Sequence, residues 1–265
     1  MSDYINTGER PISESFETLP SISRITYKLC KEYVKDKVVL DVGCGQGYGS
    51  LFLSETAKSV IGIDVEQKVI IEAAKRPNKK NITFLKMSGE TLDFSSNYFD
   101  VVISSQSIEH MKNDENFLNE ASRVLKHGGI FICLTPNKLS LIPEGEKAYD
   151  EPYYPFHCRE YTPAQFYSLL DDYFKELKKI CFYNPDREYA QRFSKNKRVK
   201  MIYRLTKFKF IRWLGRKLPL RLKQFVWFYG QKDLKPVDKE AASCEYHDKL
   251  SFIPEVLCGI YIKIN

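Results

Sequence analysis

A β-branched segment that leads directly into a glycine-rich turn constrains the fold of this 265-residue chain most strongly. The segment Lys37–Asp41 (KVVLD) precedes Gly43–Gly47 (GCGQG), and a helical pattern begins at Tyr48. A second apolar segment, Ser59–Asp64, ends in an acid about 20 residues after the turn. Glycines let the backbone turn sharply and approach a ligand, and the following helix offers N–H groups at its start. The spacing predicts a nucleoside-binding site in which Asp64 binds ribose hydroxyls.

Apolar segments and helical patterns alternate along the chain, which predicts an α/β fold with helices on both faces of a Rossmann-like, seven-stranded, mostly parallel sheet. The segments are apolar throughout, as in strands buried on both faces. About 70 residues separate the last two strands, far more than an ordinary loop, which indicates an insertion. Further strands are predicted at Asn81–Lys86, Asp100–Ser104, Gly129–Leu134, Leu177–Phe182 and Val256–Ile264, and helices at Val69–Arg76, Asp114–Leu125, with a glycine stop at Gly128, and Pro163–Leu170, with Thr162 as N-cap.

Four stretches resemble the class I S-adenosylmethionine-dependent methyltransferases. LDVGCGQGYGS at Leu40–Ser50 is similar to the first motif of that family, and GIDV at Gly62–Val65 is similar to the second. Tyr98–His110 and Arg123–Asn137 resemble the stretches around the fourth and fifth strands. The resemblance covers about residues 36–182 and implies a methyltransferase core there. The predicted division is an N-terminal helical cap at 1–35, this core, a basic helical insertion at 183–245, and the final strand or strands at 246–265, of which the last is antiparallel.

The resemblance implies S-adenosylmethionine as cofactor and assigns residues to it. Asp41 and the backbone of the glycine turn would hold the methionine end, and Asp64 the ribose. Ser88–Glu90 would flank the adenine, although many relatives have Asp in place of Ser88, and Ser105 and Gln106 would lie near the sulfonium. The implied cofactor-binding set is Asp41, Gly43, Gly45, Gly47, Asp64, Val65, Gly89, Glu90, Ser105 and Gln106.

A hydroxyl acceptor needs its proton removed by a general base or a metal ion. Gln106, Glu109 and His110 stand at i, i+3 and i+4 and would share a face if the stretch forms one helical turn. His157 follows downstream, and two histidines with a carboxylate suit a divalent metal. The set resembles the metal sites of small-RNA 2′-O-methyltransferases and the ExxEH stretch of ubiquinone-pathway O-methyltransferases. This implies Glu109, His110 and His157 as catalytic and metal-binding residues for Mg²⁺ or Mn²⁺, whereas Gln106 departs from the pattern.

Three other interpretations of these residues stay open. Glu109 and His110 would shape the pocket as a pair without a metal. His157 would act alone as a general base, or it would anchor its loop.

The net charge of +7 conceals a strongly basic segment, defined here as residues 189–232. It holds 14 Lys and Arg, no Asp or Glu, and both tryptophans, whereas the other residues carry 27 bases against 34 acids. Bases interleaved with aromatic side chains suit an anionic membrane surface, and also single-stranded RNA. A plain cap over the pocket is the third interpretation, but solvated faces normally mix both signs of charge. We predict peripheral membrane contact or a lipid-linked substrate first, a plain cap second and nucleic acid third.

Composition favours a globular cytoplasmic protein. Hydrophobic residues make up 43% and charged residues 28% of the chain, and no apolar segment has the length of a transmembrane helix. The polar N-terminus lacks the apolar region of a secretory signal. The seven scattered cysteines form no CxxC pair, which favours reduced thiols.

The layout also resembles microbial methyltransferases of surface-polysaccharide assembly. The matching stretches are Gly8–Arg10, Thr135–Asn137 and Phe156–Thr162, followed by a basic insertion before the last strand. This resemblance implies a sugar hydroxyl as acceptor, on a lipid-linked or nucleotide-activated glycan. The predicted function is O-methylation of a saccharide in cell-surface glycan biosynthesis, and the alternatives are RNA ribose 2′-O-methylation and O-methylation of a quinone-like lipophilic acceptor.

Overall fold

The computed structural model describes residues 15–76, 80–142, 150–154, 156–183, 242–246 and 254–264, together with Lys197 and Met201. Within these ranges the chain forms five α-helices and one eight-stranded sheet. The helices are α1 (Ser21–Lys31), α2 (Tyr48–Leu53), α3 (Gln67–Ala74), α4 (Asp114–Val124) and α5 (Pro163–Asp171). The strands are β1 (Val38–Val42), β2 (Ser59–Asp64), β3 (Ile82–Lys86), β4 (Phe99–Ser105), β5 (Leu125–Pro136), β6 (Lys175–Tyr183), β7 (Ala242–Glu245) and β8 (Val256–Ile262).

The strand order β3-β2-β1-β4-β5-β8-β6-β7 confirms the predicted mostly parallel sheet. Strands β1 to β5 pair in parallel, and β8 is inserted antiparallel between β5 and β6, as predicted for the last strand. Because parallel strands end at the same edge, the carboxyl ends of β1, β2, β4 and β5 bring the predicted site residues together there.

An eighth strand, β7, is not among the strands that the sequence predicts. It pairs antiparallel with β6 at the sheet edge, within the last residues of the range predicted as a helical insertion. Its residues alternate between half-buried and exposed, so it lacks the continuous apolar pattern that indicated the other strands. Of the basic segment, the structure describes only Lys197 and Met201, both helical and exposed, and the rest lies outside the described residues.

The predicted glycine stop of α4 is wrong, because the helix ends before it. Val124 is the last helical residue, and Leu125 is already extended and begins β5. Strand β5 pairs Leu125 with Phe99 and then, after a register shift, Ile130 with Val101. Gly128, with φ of +73°, lies inside this irregular part of the strand. The predicted N-cap of α5 is confirmed, since Thr162 forms a capping box with Gln165.

Both faces of the sheet are covered, as the apolar strands predicted. Alternate residues of β1 and β4 point to opposite faces. Leu40 and Val102 pack into a core with α4 and α5, whereas Val39 and Ile103 pack into another with α1 and α2. Among the described residues, no helix has the length and apolar character needed to cross a membrane.

Candidate functional site

The glycine turn after β1 has the conformation and the open space that a bound ligand requires. Gly43, Gly45 and Gly47 have φ values of 74°, 53° and 78°, which side-chain-bearing residues rarely adopt. A Cβ on Gly43 would lie 2.0 Å from Ser107 Oγ, and one on Gly47 would lie 2.5 Å from the Phe84 ring. Among the described residues, no atom lies within 4 Å of the corresponding position on Gly45. The middle of the turn therefore offers bare backbone to a ligand, which fits the predicted cofactor.

Asp64 joins the end of β2 to this turn. It is buried, and its Oδ2 accepts a hydrogen bond from the Gly45 N–H at 3.2 Å, while Oδ1 accepts one from the Glu66 N–H at 2.9 Å. Val65 is 59% exposed beside it and offers an apolar surface. The carboxylate thus lies at the position predicted for ribose recognition, and that contact stays a prediction.

Asp41 lies fully buried at the end of β1, and hydroxyl groups surround its carboxylate. Ser50 donates to it at 2.6 Å, and Tyr27 of α1 donates at 3.3 Å. Burial raises the pKa of Asp41 to about 6, although both hydroxyl groups counteract the increase. The contact of Tyr27 with Asp41 could not be predicted from the sequence. It depends on the close packing of α1 on α2, where a Cβ on Gly49 would lie 2.0 Å from the Tyr27 ring.

The residues predicted to flank the adenine contact the end of β1 and the segment between β4 and α4. A Cβ on Gly89 would lie 2.8 Å from Val42 Cγ1, which packs this residue against the end of β1. The carboxylate of Glu90 accepts hydrogen bonds from the N–H groups of Lys112 and Asn113, at 2.8 and 3.3 Å. The structure thus gives Glu90 a structural contact, and its contact with a cofactor stays a prediction.

Gln106 does not share a helical face with Glu109 and His110, so that expectation is wrong. Its N–H donates to Leu134 O of β5 at 3.0 Å, which extends the β4–β5 pairing, and its φ is +54°. Only a single 3-10 turn, Ile108–His110, follows. Ser105, which precedes Gln106, is half-buried at the end of β4. The Gln106 Nε2 is buried and has no hydrogen-bond partner among the described residues. Such an unsatisfied amide just after the end of β4 is a candidate ligand contact.

Glu109, His110 and His157, predicted as catalytic residues, do come together. One candidate ligand atom from each lies within 4.8 Å of the others. Glu109 is 1% exposed, its Oε2 accepts a hydrogen bond from the Thr135 hydroxyl at 3.1 Å, and its Oε1 lies 4.0 Å from His110 Nε2. The two imidazole rings contact edge to face, with centroids 5.0 Å apart.

Backbone hydrogen bonds bring His157 to this cluster. The N–H groups of Cys158 and Arg159 donate to Glu109 O at 2.7 and 3.2 Å, which ties the loop to the 3-10 turn. Lys138 N–H donates to Tyr161 O at 2.8 Å, just after the end of β5. The loop is therefore held from two strand ends.

In both histidines Nδ1 has a hydrogen-bonding partner. His110 Nδ1 lies 3.3 Å from Phe156 O, and His157 Nδ1 lies 3.1 Å from Glu160 Oε1. A ring that donates from Nδ1 carries its lone pair on Nε2. Metal-binding histidines have such outer partners, and two imidazoles with a carboxylate suit a first-row divalent ion. The donor set therefore fits the predicted metal. Glu160 is not among the predicted site residues, although its position three residues after His157 is visible in the sequence.

Proteins of known class are similar to this chain in sequence and in fold. A family model described as a methyltransferase domain matches residues 40–133. A probable S-adenosylmethionine-dependent methyltransferase of Mycolicibacterium smegmatis is 32% identical over 167 residues, 62% of this chain and 63% of that protein. A ubiquinone biosynthesis O-methyltransferase of Pelagibacter ubique is 36% identical over 108 residues, 40% of this chain and 44% of that protein. The chain thus matches less than two thirds of the length of these curated relatives.

A solved structure shows the same fold. The S-adenosylmethionine-dependent methyltransferase from Mesorhizobium loti superposes with a TM-score of 0.57 at 13% identity, over 94% of this chain and all of that one. The family match and the curated relatives place residues 40–133 in the class of S-adenosylmethionine-dependent methyltransferase domains, and the solved structure shows that the fold is shared. S-adenosylmethionine is the cofactor that this class uses.

Proposed function

We propose that this protein is an S-adenosylmethionine-dependent O-methyltransferase that activates an acceptor hydroxyl at Glu109, His110 and His157. The observation that carries the proposal is the convergence of these three side chains within 4.8 Å, although His157 lies far from the other two in sequence. Two imidazoles and a buried carboxylate can take up a proton or bind a divalent cation.

Ser107 connects this cluster to the glycine turn. Its hydroxyl donates to Val42 O at 3.1 Å, and its side chain occupies the space beside Gly43 that a Cβ would need. Glu109 follows only two residues later in the chain. The proton-accepting groups and the cofactor turn therefore belong to one edge of the sheet.

When bound, S-adenosylmethionine supplies an electrophilic methyl group. The glycine turn and Asp64 orient the cofactor, and positioning contributes much of the rate of a displacement between held reactants. A neutral His157 that donates from Nδ1 to Glu160 has its lone pair on Nε2, where it can accept the acceptor's proton or bind a metal ion. The Glu109 carboxylate stabilises positive charge that develops on either imidazole. A divalent ion there would lower the pKa of a bound hydroxyl.

For the acceptor, we propose a sugar hydroxyl on a lipid-linked or nucleotide-activated glycan. The support is the sequence resemblance around Thr135–Asn137 and Phe156–Thr162. A quinone-like lipophilic hydroxyl is the second candidate, since a relative is named for ubiquinone biosynthesis. Both acceptors require the same proton removal.

Labelled methyl transfer tests the proposal. The protein is incubated with methyl-labelled cofactor and fractionated lipid, polysaccharide, quinone precursor or RNA, with chelator and then with added Mn²⁺. We expect label in the saccharide fraction, loss of turnover in chelator, and recovery with Mn²⁺. His110→Ala and His157→Ala should both be inactive, because each breaks the same site.

Asp64→Ala serves as the matched variant on the cofactor side. It should weaken S-adenosylmethionine binding by about 1.5–3 kcal/mol, because charged hydrogen bonds are lost, while Mn²⁺ binding stays unchanged. Full activity in chelator would exclude the metal and leave His157 as general base, in which case His110→Ala should cost much less. Label only in quinone or RNA would overturn the saccharide acceptor, and no transfer into any fraction would contradict the proposed activity.

A further inference from the structure

We propose that Glu160 is the positioning residue of this site: it orients His157 and ties the Tyr153–Tyr154 backbone over it. The inference rests on the proposed function of the same cluster and adds a residue that no sequence motif assigned. Of the three clustered side chains, Glu160 pairs with His157.

The first observation is the number of hydrogen bonds that one buried carboxylate accepts. The Glu160 side chain is 1% exposed. Its Oε2 accepts from the Tyr153 N–H at 2.8 Å, and its Oε1 accepts from the Tyr154 N–H at 2.7 Å and pairs with His157 Nδ1 at 3.1 Å. A buried carboxylate is costly unless it is satisfied in this way, so the arrangement is specific for an anion with two oxygens.

The second observation is that the same local unit surrounds the His157 ring. The His157 N–H donates to Tyr154 O at 3.2 Å, and the Tyr154 and His157 rings lie 4.7 Å apart between centroids. The ring is thus held by the carboxylate at Nδ1 and by an aromatic side chain on its surface. Rotation of the ring would break the bond to Glu160.

The consequence is a defined tautomer. A carboxylate can only accept, so the 3.1 Å contact requires the proton on Nδ1, and in the neutral ring the lone pair then lies on Nε2. Nε2 is the nitrogen that His157 can then offer to a metal ion or an acceptor proton. Histidines that bind metals depend on such partners, whose loss typically lowers metal affinity by about 10- to 100-fold.

A matched pair of variants tests this role. Glu160→Gln removes the charge and one acceptor oxygen at the same size, and Glu120→Gln is the control. Glu120 also accepts a backbone N–H, from Leu92 at 2.7 Å, but it pairs with Arg123 on α4. We expect Mn²⁺ affinity to fall about 10- to 100-fold in Glu160→Gln and to change less than about twofold in Glu120→Gln. Affinity for S-adenosylmethionine should stay within about twofold in both variants, because other residues form the glycine turn.

Two further readouts separate positioning from a merely structural role. The ¹⁵N chemical shifts of the neutral His157 ring should show the proton on Nδ1 in the unmodified protein and a mixture of tautomers in Glu160→Gln. In addition, His157→Ala/Glu160→Gln should bind Mn²⁺ no more weakly than His157→Ala, because Glu160 acts through that ring. Should Glu160→Gln fail to fold, Glu160→Asp keeps the charge, withdraws the carboxylate by one methylene and should show an intermediate loss.

The outcomes distinguish this inference from the proposed function. Unchanged Mn²⁺ affinity with an unchanged tautomer in the Glu160 variants would overturn the role of Glu160 while the metal site stands. Additive losses in the double variant would also overturn it. If the unmodified protein binds no Mn²⁺, the metal part of the proposed function is wrong. A tautomer shift together with a loss of methyl transfer in Glu160→Gln would then still support Glu160 as the residue that orients His157, and the absence of both would refute it.

Discussion

At the residue scale, Asp41 shows how a predicted cofactor-binding residue can oppose folding. Its carboxylate is fully buried, and burial raises its pKa from 3.8 to about 6 despite hydrogen bonds from the Ser50 and Tyr27 hydroxyls. The folded protein therefore holds the Asp41 proton more tightly than the unfolded chain does. From this group alone, the free energy of unfolding is highest below the unfolded pKa and falls as the pH rises to about 6.

We expect Asp41→Asn to remove this pH dependence. One pKa unit corresponds to about 1.4 kcal/mol, so the variant should gain up to roughly 3 kcal/mol over the unmodified protein at neutral pH, less what its altered hydrogen bonds cost. The difference in unfolding free energy between the two proteins should grow from pH 4 to about 6 and then level off. Urea unfolding at a series of pH values measures it.

Asp100→Asn is the control with the opposite sign. Burial acts to raise the pKa of Asp100, but hydrogen bonds from Lys126 and the Val38 N–H outweigh it, so the pKa is lowered. The Asn variant should be less stable at neutral pH, and the deficit should shrink as the pH falls. A difference for Asp41→Asn that does not vary with pH would contradict the ionisation described above.

At the element scale, the edge pair β6–β7 decides where the chain returns to the sheet after the insertion. Cys181 of β6 is paired directly with Cys244 of β7, and their Sγ atoms lie 3.3 Å apart. Cys181 is buried and Cys244 is half-buried, so the pair can be reached from one side. A shift of the register by one residue would move these side chains to opposite faces of the sheet.

The register predicts a cross-link between these two thiols. On treatment with diamide, the two sulfurs should form one disulfide as their two electrons and two protons pass to the oxidant. A Cys158→Ser background removes the exposed thiol, and Cys244→Ser within it is the control. Peptide mapping by mass spectrometry should find the 181–244 bridge in the background protein. Its absence, with the β7 cysteine linked elsewhere, would show a different pairing.

At the scale of the whole molecule, charge divides the chain into an acidic body and the basic segment 189–232. The body carries 27 bases and 34 acids, so we expect an anionic surface to attract the protein through the segment rather than through the body. A lipid-linked acceptor would be presented at such a surface. This links the charge distribution to the proposed acceptor class.

We expect vesicles with anionic lipid to bind the protein and neutral vesicles to bind it much less. Replacing Lys207, Lys209, Arg212 and Arg216 by Gln should lower binding at least tenfold, since each base near an anionic leaflet contributes about 1 kcal/mol. The matched control replaces four exposed lysines outside the segment by Gln, Lys35, Lys58, Lys75 and Lys178, and removes the same charge. Cosedimentation measures both.

Equal losses in the two sets would show that net charge, not the segment, attracts the membrane. Competition by single-stranded RNA, with affinity that falls log-linearly with salt, would favour the nucleic-acid interpretation. If neither vesicles nor RNA bind, the segment covers the pocket of a soluble acceptor.

Local patterns in the sequence determined the α/β class, the glycine turn and the position of Asp64. They could do so because a buried parallel strand is apolar throughout, and because a positive φ at Gly43, Gly45 and Gly47 is a property of the residues themselves. Strand β7 could not be predicted in this way because its pattern at the sheet edge is mixed. The end of α4 was predicted to within one residue, but the glycine stop does not cause it, because β5 already pairs with β4 at Leu125.

Only the tertiary structure decided how the candidate site is assembled. Gln106 does not lie on the expected helical face because its N–H donates to Leu134 O of β5. Sequence spacing does not predict such a contact between distant segments. His157 lies beside Glu109 because two backbone N–H groups of its loop donate hydrogen bonds to the Glu109 carbonyl. Glu160 orients that histidine because burial requires its carboxylate to be satisfied by nearby donors. Residue types determine which chemistry is available, whereas packing and hydrogen bonding across the sheet edge determine which of those groups meet.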